Sequence, residues 1–298
     1  MKLDRRSMLK GALAGGAAAV ATAATPSPAF ARARREPDPE DVGLLYDATL
    51  CIGCKACVVA CREANDDNTA RPESSIGLWD DPADLSGTTR NVIRVYNEGD
   101  QSSFYKAQCM HCTDPACVSA CMLGALHKTK WGIVAYDKDA CIGCRYCQVA
   151  CPFNIPKFQW ASATPEIVKC ELCRHRLDEG KEPGCTTVCP TKAVIYGKRA
   201  DLLAEAHRRL EQSPERYVPK VYGETDAGGT AMLALSAVPF DRLGLPVMGD
   251  EGAPALSEAV QHGIYKGFVA PVALYGILAG VMWRNRRRGD KATEEEPS

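Results

Sequence analysis

The chain has 298 residues, with 36 Lys or Arg against 37 Asp or Glu and a formal net charge of −1. That balance excludes a nucleic-acid binder of the basic-patch kind, and a charged fraction of 24% speaks against wholesale disorder. The length allows one large domain or two small ones, and sixteen cysteines are the excess to explain, as disulfides, zinc ligands or iron–sulfur ligands.

Residues 1–31 read as a targeting segment. Asp4-Arg5-Arg6-Ser7-Met8-Leu9-Lys10 is followed by a weakly apolar Ala/Gly stretch and by Ala29-Phe30-Ala31 as a small-x-small cleavage site. Together these fit a twin-arginine signal, with Met8 where that signal commonly has Phe. Such a leader exports chains already folded around cofactors built in the reducing cytoplasm, so export alone does not argue for disulfides here. Residues 32–43, charged and proline-bearing, are expected to form a flexible lead-in.

Every cysteine then falls into one of four groups: Cys51-x2-Cys54-x2-Cys57-x3-Cys61, Cys109-x2-Cys112-x4-Cys117-x3-Cys121, Cys141-x2-Cys144-x2-Cys147-x3-Cys151-Pro152 and Cys170-x2-Cys173-x11-Cys185-x3-Cys189-Pro190. The first and third are an internal repeat, since CIGCKACVVAC and CIGCRYCQVAC agree at eight of eleven positions. Each follows an apolar run ending in Tyr-Asp, Tyr46-Asp47 or Tyr136-Asp137. Between and after the groups, 91–97, 133–137 and 193–196 have the β-branched and aromatic content of short strands, and 200–211 has helical spacing. The Gly-, Pro- and acid-rich stretch 212–263 is expected to wrap over the surface.

Gly263–Trp283 is a 21-residue apolar segment, about 31 Å long as a helix at roughly 1.5 Å per residue, which matches a membrane's hydrocarbon thickness. Arg284, Arg286, Arg287 and Arg288 follow it, while Asp250, Glu251 and Glu258 precede it. The positive side is expected in the cytoplasm, and Lys266 in the first turn can snorkel to the interface. Tyr265 and Trp283 fit interfacial anchoring.

A C-x2-C-x2-C loop wraps three corners of a [4Fe-4S] cube, and the cysteine after x3, often before Pro, ligates the neighbouring cluster of a two-cluster ferredoxin. Zinc sites use two C-x2-C pairs and do not call for the added x3-C. The pattern therefore predicts iron–sulfur clusters, with a full set of ligands and with the partner groups left open by spacing alone. His111 and His175 sit beside ligand cysteines but are supernumerary; they are read as tuning the cluster environment or lining the surface. His262, just before the apolar segment, reads as an ordinary boundary residue. No phosphate cradle, HExxH or G-x-S-x-G is present, so the chain reads as a carrier of electrons and not as a catalyst.

The order of the groups resembles the four-cluster ferredoxin-type electron-transfer subunits of membrane oxidoreductases, which include those of formate dehydrogenase, dimethyl sulfoxide reductase and polysulfide reductase. The likeness covers 44–197. Within that family LLYDATLCIGC, DKDACIGCRYC, VYGETDAGGTAMLALSAVPFDRLGLP and HGIYKGFVAPVAL are most similar to the hydrogenase-2 branch. Met122, where Pro would stand, is the one visible departure in a motif.

The resemblance implies an α+β fold of two interleaved ferredoxin-like units over 44–197. A helix and surface-wrapping extension over 198–262, a transmembrane helix over 263–283 and a cytoplasmic tail over 284–298 would follow. It implies four [4Fe-4S] clusters held by Cys51, Cys54, Cys57 and Cys189; by Cys61, Cys170, Cys173 and Cys185; by Cys109, Cys112, Cys117 and Cys151; and by Cys121, Cys141, Cys144 and Cys147. It implies as partners the large and small subunits of a nickel–iron hydrogenase and an integral membrane subunit that reduces quinone, with the main domain on the periplasmic side of the inner membrane. The alternatives are a formate dehydrogenase partner, a sulfur-compound reductase partner, or a chain that itself reduces a small molecule at an exposed cluster.

Overall fold

The computed structural model describes residues 35–65, 84–99, 101–255 and 269–294. The expected leader, His262, Tyr265, Lys266 and the start of the expected membrane segment lie outside them. Residues 34–254 make one compact unit, and the C-terminal helix belongs to another.

The larger unit is organised by two β-pairings that repeat each other. β1 (Val42–Asp47) leads into the first cysteine group, and β8 (Val194–Lys198) leaves the fourth; the two run antiparallel with Tyr46 opposite Val194. β4 (Leu126–Lys128) leaves the second group, β5 (Val134–Tyr136) enters the third, and Leu126 stands opposite Tyr136. Each tyrosine lies five residues before its group's first cysteine, and each aliphatic partner five residues after the last cysteine of the partner group. The outer module is thus a circular permutation of the inner one. Its two halves are separated in sequence by the whole inner module.

Short helices carry the later cysteines of each group. α1 (Ala56–Ala64) holds Cys57 and Cys61 and packs on α5 (Gly184–Thr187), which holds Cys185; α2 (Ala116–Ser119) holds Cys117 and packs on α3 (Tyr146–Ala150), which holds Cys147. α4 (Arg174–Asp178) follows Cys173, and the two-residue strands β6 (Lys157–Phe158) and β7 (Ile167–Val168) close a loop between the third and fourth groups.

Between the first two groups the chain forms a hairpin, β2 (Asn91–Glu98) with β3 (Gln101–Gln108). It packs against the outer module: Tyr46 donates its hydroxyl to the Phe104 carbonyl at 2.8 Å and meets Tyr105 edge-on.

Every residue of β1 is buried, because β1 is the centre of a three-stranded sheet, with β8 on one side and β9 (Met232–Leu235) on the other. Side chains alternate in direction along a strand. Leu44 and Tyr46 accordingly face the cysteine core, while Leu45 packs with Leu202 and Ala206 of α6 (Arg199–Gln212). β9 (Met232–Leu235) pairs parallel to β1 and is wholly buried. This corrects the expectation that 212–263 only wraps the surface: MLAL has no polar position and needs cover on both faces, which β1, α6 and the cysteine core supply. β1 also begins at Val42, inside the stretch read as a flexible lead-in.

The C-terminal helix α7 (Val269–Glu294) exposes Leu274, Tyr275, Ile277, Leu278, Met282 and Trp283. Among the described residues no helix is long and apolar enough to cross a membrane. The described apolar stretch, 269–283, is about 22 Å long at roughly 1.5 Å per residue, short of the hydrocarbon thickness of about 30 Å.

Candidate cluster-binding sites

All sixteen cysteines are free thiols, and their surroundings sort them into four quartets. Cys57 sits among Cys51, Cys54 and Cys189, and these four line one cavity. Cys170 sits among Cys61, Cys173 and Cys185, with the Asn65 amide 3.7 Å from Cys61 Sγ and 3.8 Å from Cys173 Sγ. Cys112 sits among Cys109, Cys117 and Cys151. Cys147 sits among Cys121, Cys141 and Cys144, and that quartet lines a second cavity. In each quartet the last cysteine of one group sits with the first three of another, the first group with the fourth and the second with the third.

The quartets also stand in a row. Cys185 of the second is within electrostatic reach of Cys57 of the first, Cys170 of the second reaches Cys109 of the third, and Cys117 of the third reaches Cys147 of the fourth. At the far end Cys144 is exposed.

One backbone device recurs in every group. The residue two beyond the first cysteine has a positive φ: Gly53 at 69°, His111 at 47°, Gly143 at 71° and Leu172 at 52°. This left-handed turn points a main-chain N–H back at sulfur. Gly143 N lies 3.4 Å from Cys141 Sγ, and Leu172 N lies 3.3 Å from Cys170 Sγ. Glycine reaches this conformation without cost, and at Gly53 a Cβ would in addition collide with the Phe104 ring. His111 and Leu172 hold it despite the steric penalty, which is of order 1–3 kcal/mol, a mark of a conformation dictated by the site.

The electrostatics fit a cationic guest. Burial first and neighbouring thiols second push Cys112 and Cys170 well up; burial, opposed by Lys106, pushes Cys61 up to about 12 and Cys185 up to about 11. Four thiolates so placed are tolerable only around positive charge. Among the described residues no three His, Cys, Asp or Glu side chains converge on a point fit for a single metal ion. The quartets surround space, as thiolates at the corners of a polynuclear cluster must.

The polar neighbours are a set that the spacing did not reveal. Lys169 donates to the Val134 carbonyl at 2.5 Å and the Cys170 carbonyl at 3.0 Å, and Lys128 donates to the carbonyls of Cys112, at 3.1 Å, and Gly132. His111 is buried and accepts the Val134 N–H on Nδ1 at 3.1 Å, leaving its buried Nε2 without a partner; burial, then Lys169 and Lys128, hold it well below the usual histidine range. His175 is exposed. Lys106 of β3 is fully buried, and its Nζ has no hydrogen-bond partner.

A carrier of thiolate-held iron–sulfur clusters is the class that this arrangement defines, and residues 101–199 match the family described as a 4Fe-4S dicluster domain. The hydrogenase-2 operon protein HybA of Escherichia coli O157:H7 is 41% identical over 321 residues, 96% of this chain and 96% of the relative. A protein of Nitratidesulfovibrio vulgaris is 41% identical over 99% of this chain and 80% of its own length. The iron–sulfur subunit of the nitrate-inducible formate dehydrogenase of Escherichia coli K12 is 37% identical over 80% of this chain and 81% of that subunit. The chain belongs to the HybA family of iron–sulfur electron-transfer proteins, to which the formate dehydrogenase iron–sulfur subunits are related.

Proposed function

We propose that the chain holds four [4Fe-4S] clusters and carries electrons from a periplasmic nickel–iron hydrogenase to a membrane subunit that reduces quinone. The single observation that carries the four-cluster reading is the sorting of sixteen cysteines into four quartets in a row. When bound, each cluster supplies a one-electron relay. The chain's own residues do the rest. The quartets hold the iron in the order Cys51/54/57/189, Cys61/170/173/185, Cys109/112/117/151 and Cys121/141/144/147. The left-handed turns aim N–H groups at sulfur, and Tyr46, Ile93, Leu172 and Ile133 keep water from the interior path. The likeness to iron–sulfur subunits of oxidoreductase complexes supports a role as an electron-carrying subunit.

The choice of hydrogenase over formate dehydrogenase rests on coverage, since the HybA likeness runs over nearly all of both chains and the formate dehydrogenase likeness does not. The Arg-Arg leader supports export of the folded chain. The 263–283 segment, with its exposed apolar side chains on α7 and its arginine tail, supports a single span with the C-terminus in the cytoplasm.

The test is an affinity purification from detergent-solubilised membranes, with metal analysis. About 16 irons per chain beyond those of the partner, together with nickel, are expected. Molybdenum or tungsten in place of nickel would move the partner to a formate or sulfur-compound oxidoreductase, and markedly less iron would overturn the four-cluster reading.

A further inference from the structure

β3 buries a charge where a strand of this kind would bury an aliphatic side chain. Lys106 lies between Tyr105 and Ala107, opposite Ile93, and no part of it reaches solvent. A buried ammonium without a hydrogen bond is strongly unfavourable, and Lys106 Nζ has none. The other two lysines near the cysteines, buried Lys169 and half-buried Lys128, direct their protons at main-chain carbonyls. Lys106 has no such acceptor. Its strongest electrostatic neighbours are Cys185, Cys57, Cys61 and Cys170, three from the second quartet and one from the first, and it lines the first quartet's cavity beside Cys51, Cys54 and Cys189. The fourth quartet differs: the largest charge influences on Cys147 are the thiols of Cys121, Cys141 and Cys144, and the arginine lining its cavity, Arg145, is stacked on Trp160 at 4.7 Å.

We infer that Lys106 is a potential-setting residue of the outer module, its ammonium donating to cluster sulfur at the border of the first and second sites and raising the reduction potential there, most strongly at the second. The inference rests on the four-cluster reading. Its physics is charge balance: reduction adds one electron and one negative charge to a cluster, no proton moves, and a fixed positive charge in a low-dielectric interior favours the reduced state. Other determinants, such as exposure and N–H···S bonds, act on all four sites, whereas Lys106 acts on two.

The experiment is a redox titration of the purified, membrane-extracted complex followed by electron paramagnetic resonance, with iron counted in each sample, for the wild type, Lys106→Met and Lys106→Arg. The expected result for Lys106→Met is full iron and a fall in the midpoint potential of one or two clusters by at least about 59 mV, the one-electron equivalent of a tenfold shift in the reduced-to-oxidised ratio. Lys106→Arg should retain most of the wild-type potential. Full iron with unmoved potentials in Lys106→Met would overturn the inference. If Lys106→Met loses iron while Lys106→Arg keeps both iron and potentials, the charge is what the site requires and the inference stands. Equal iron loss in both variants makes the residue a packing element and overturns it. Iron well below four clusters in the wild type would instead overturn the reading beneath.

Discussion

In both modules a tyrosine stands opposite an aliphatic residue, Tyr46 against Val194 and Tyr136 against Leu126, and an aspartate follows it. Asp47 and Asp137 even make the same local turn, each accepting the N–H of the residue two ahead at 3.0 Å. Beyond that the modules diverge. Asp47 is fully buried and takes further bonds from Arg209 at 3.0 Å and Tyr217 at 2.9 Å, because α6 and β9 have been laid over the outer module. Asp137 is exposed, and around the inner module's last cavity Met122, Leu123, Ile142, Tyr146 and Val149 face solvent. One cluster-holding pattern can therefore sit in a closed or an open setting, and the added elements decide which.

Four measurements would break or sharpen this contrast. The largest effect is expected at the cysteines: Cys57→Ser and Cys147→Ser should each remove about four of roughly sixteen irons. Only Cys57→Ser should also lower the melting temperature steeply, since Cys57 belongs to the main core around Tyr46 and Ile93, and equal melting temperatures would refute the contrast. Asp47→Ala should destabilise by about 1–3 kcal/mol, because the Thr49 N–H and the Tyr217 hydroxyl lose their buried acceptor and Arg209 is left with Glu205 alone. Asp137→Ala should change stability by less than about 0.5 kcal/mol, as exposed positions do; denaturant unfolding of the two variants checks both. Leu202→Ala, on the buried face of α6, should cost about 2–4 kcal/mol through lost burial and a cavity beside Leu45 and Leu233, with iron in the inner quartets unchanged.

The smallest effect is a pH dependence. Burial works to raise the Glu205 carboxyl, but hydrogen bonds from Arg208 and Arg209 outweigh it and hold it below the ordinary range. A depressed carboxylate adds stability that is complete above the unfolded value, about 4.3, and is lost as pH falls through the folded one. Glu205→Gln should therefore narrow its gap to the wild type on acidification below about pH 4, as followed by thermal melts.

The sites were legible because cluster chemistry demands cysteine at fixed spacing, and the strand over 91–98 and the helix over 199–212 were legible from periodicity. β9 was not. A four-residue apolar run in a Gly- and Pro-rich stretch carries no period, and its partner β1 lies far away in the sequence. Lys106 was hidden for the opposite reason: in QSSFYKAQ a lysine reads as the solvent-facing member of an alternating strand, and only the packing of the hairpin on the outer module reverses it. The left-handed turns were half visible, at Gly53 and Gly143, while His111 and Leu172 have nothing in their side chains to announce one.

The permuted order of the outer module has a consequence for how the protein is made. As the chain leaves the ribosome, the inner module is complete once Cys151 has emerged, whereas the first cysteine group, made earliest, finds its fourth member only with Cys189. At 5–20 residues per second the thiols of Cys51, Cys54 and Cys57 wait on the order of ten seconds for it. A chain that ends between Cys151 and Cys189 keeps both inner quartets whole and leaves the first site open, so the earliest residues translated are the last to be finished.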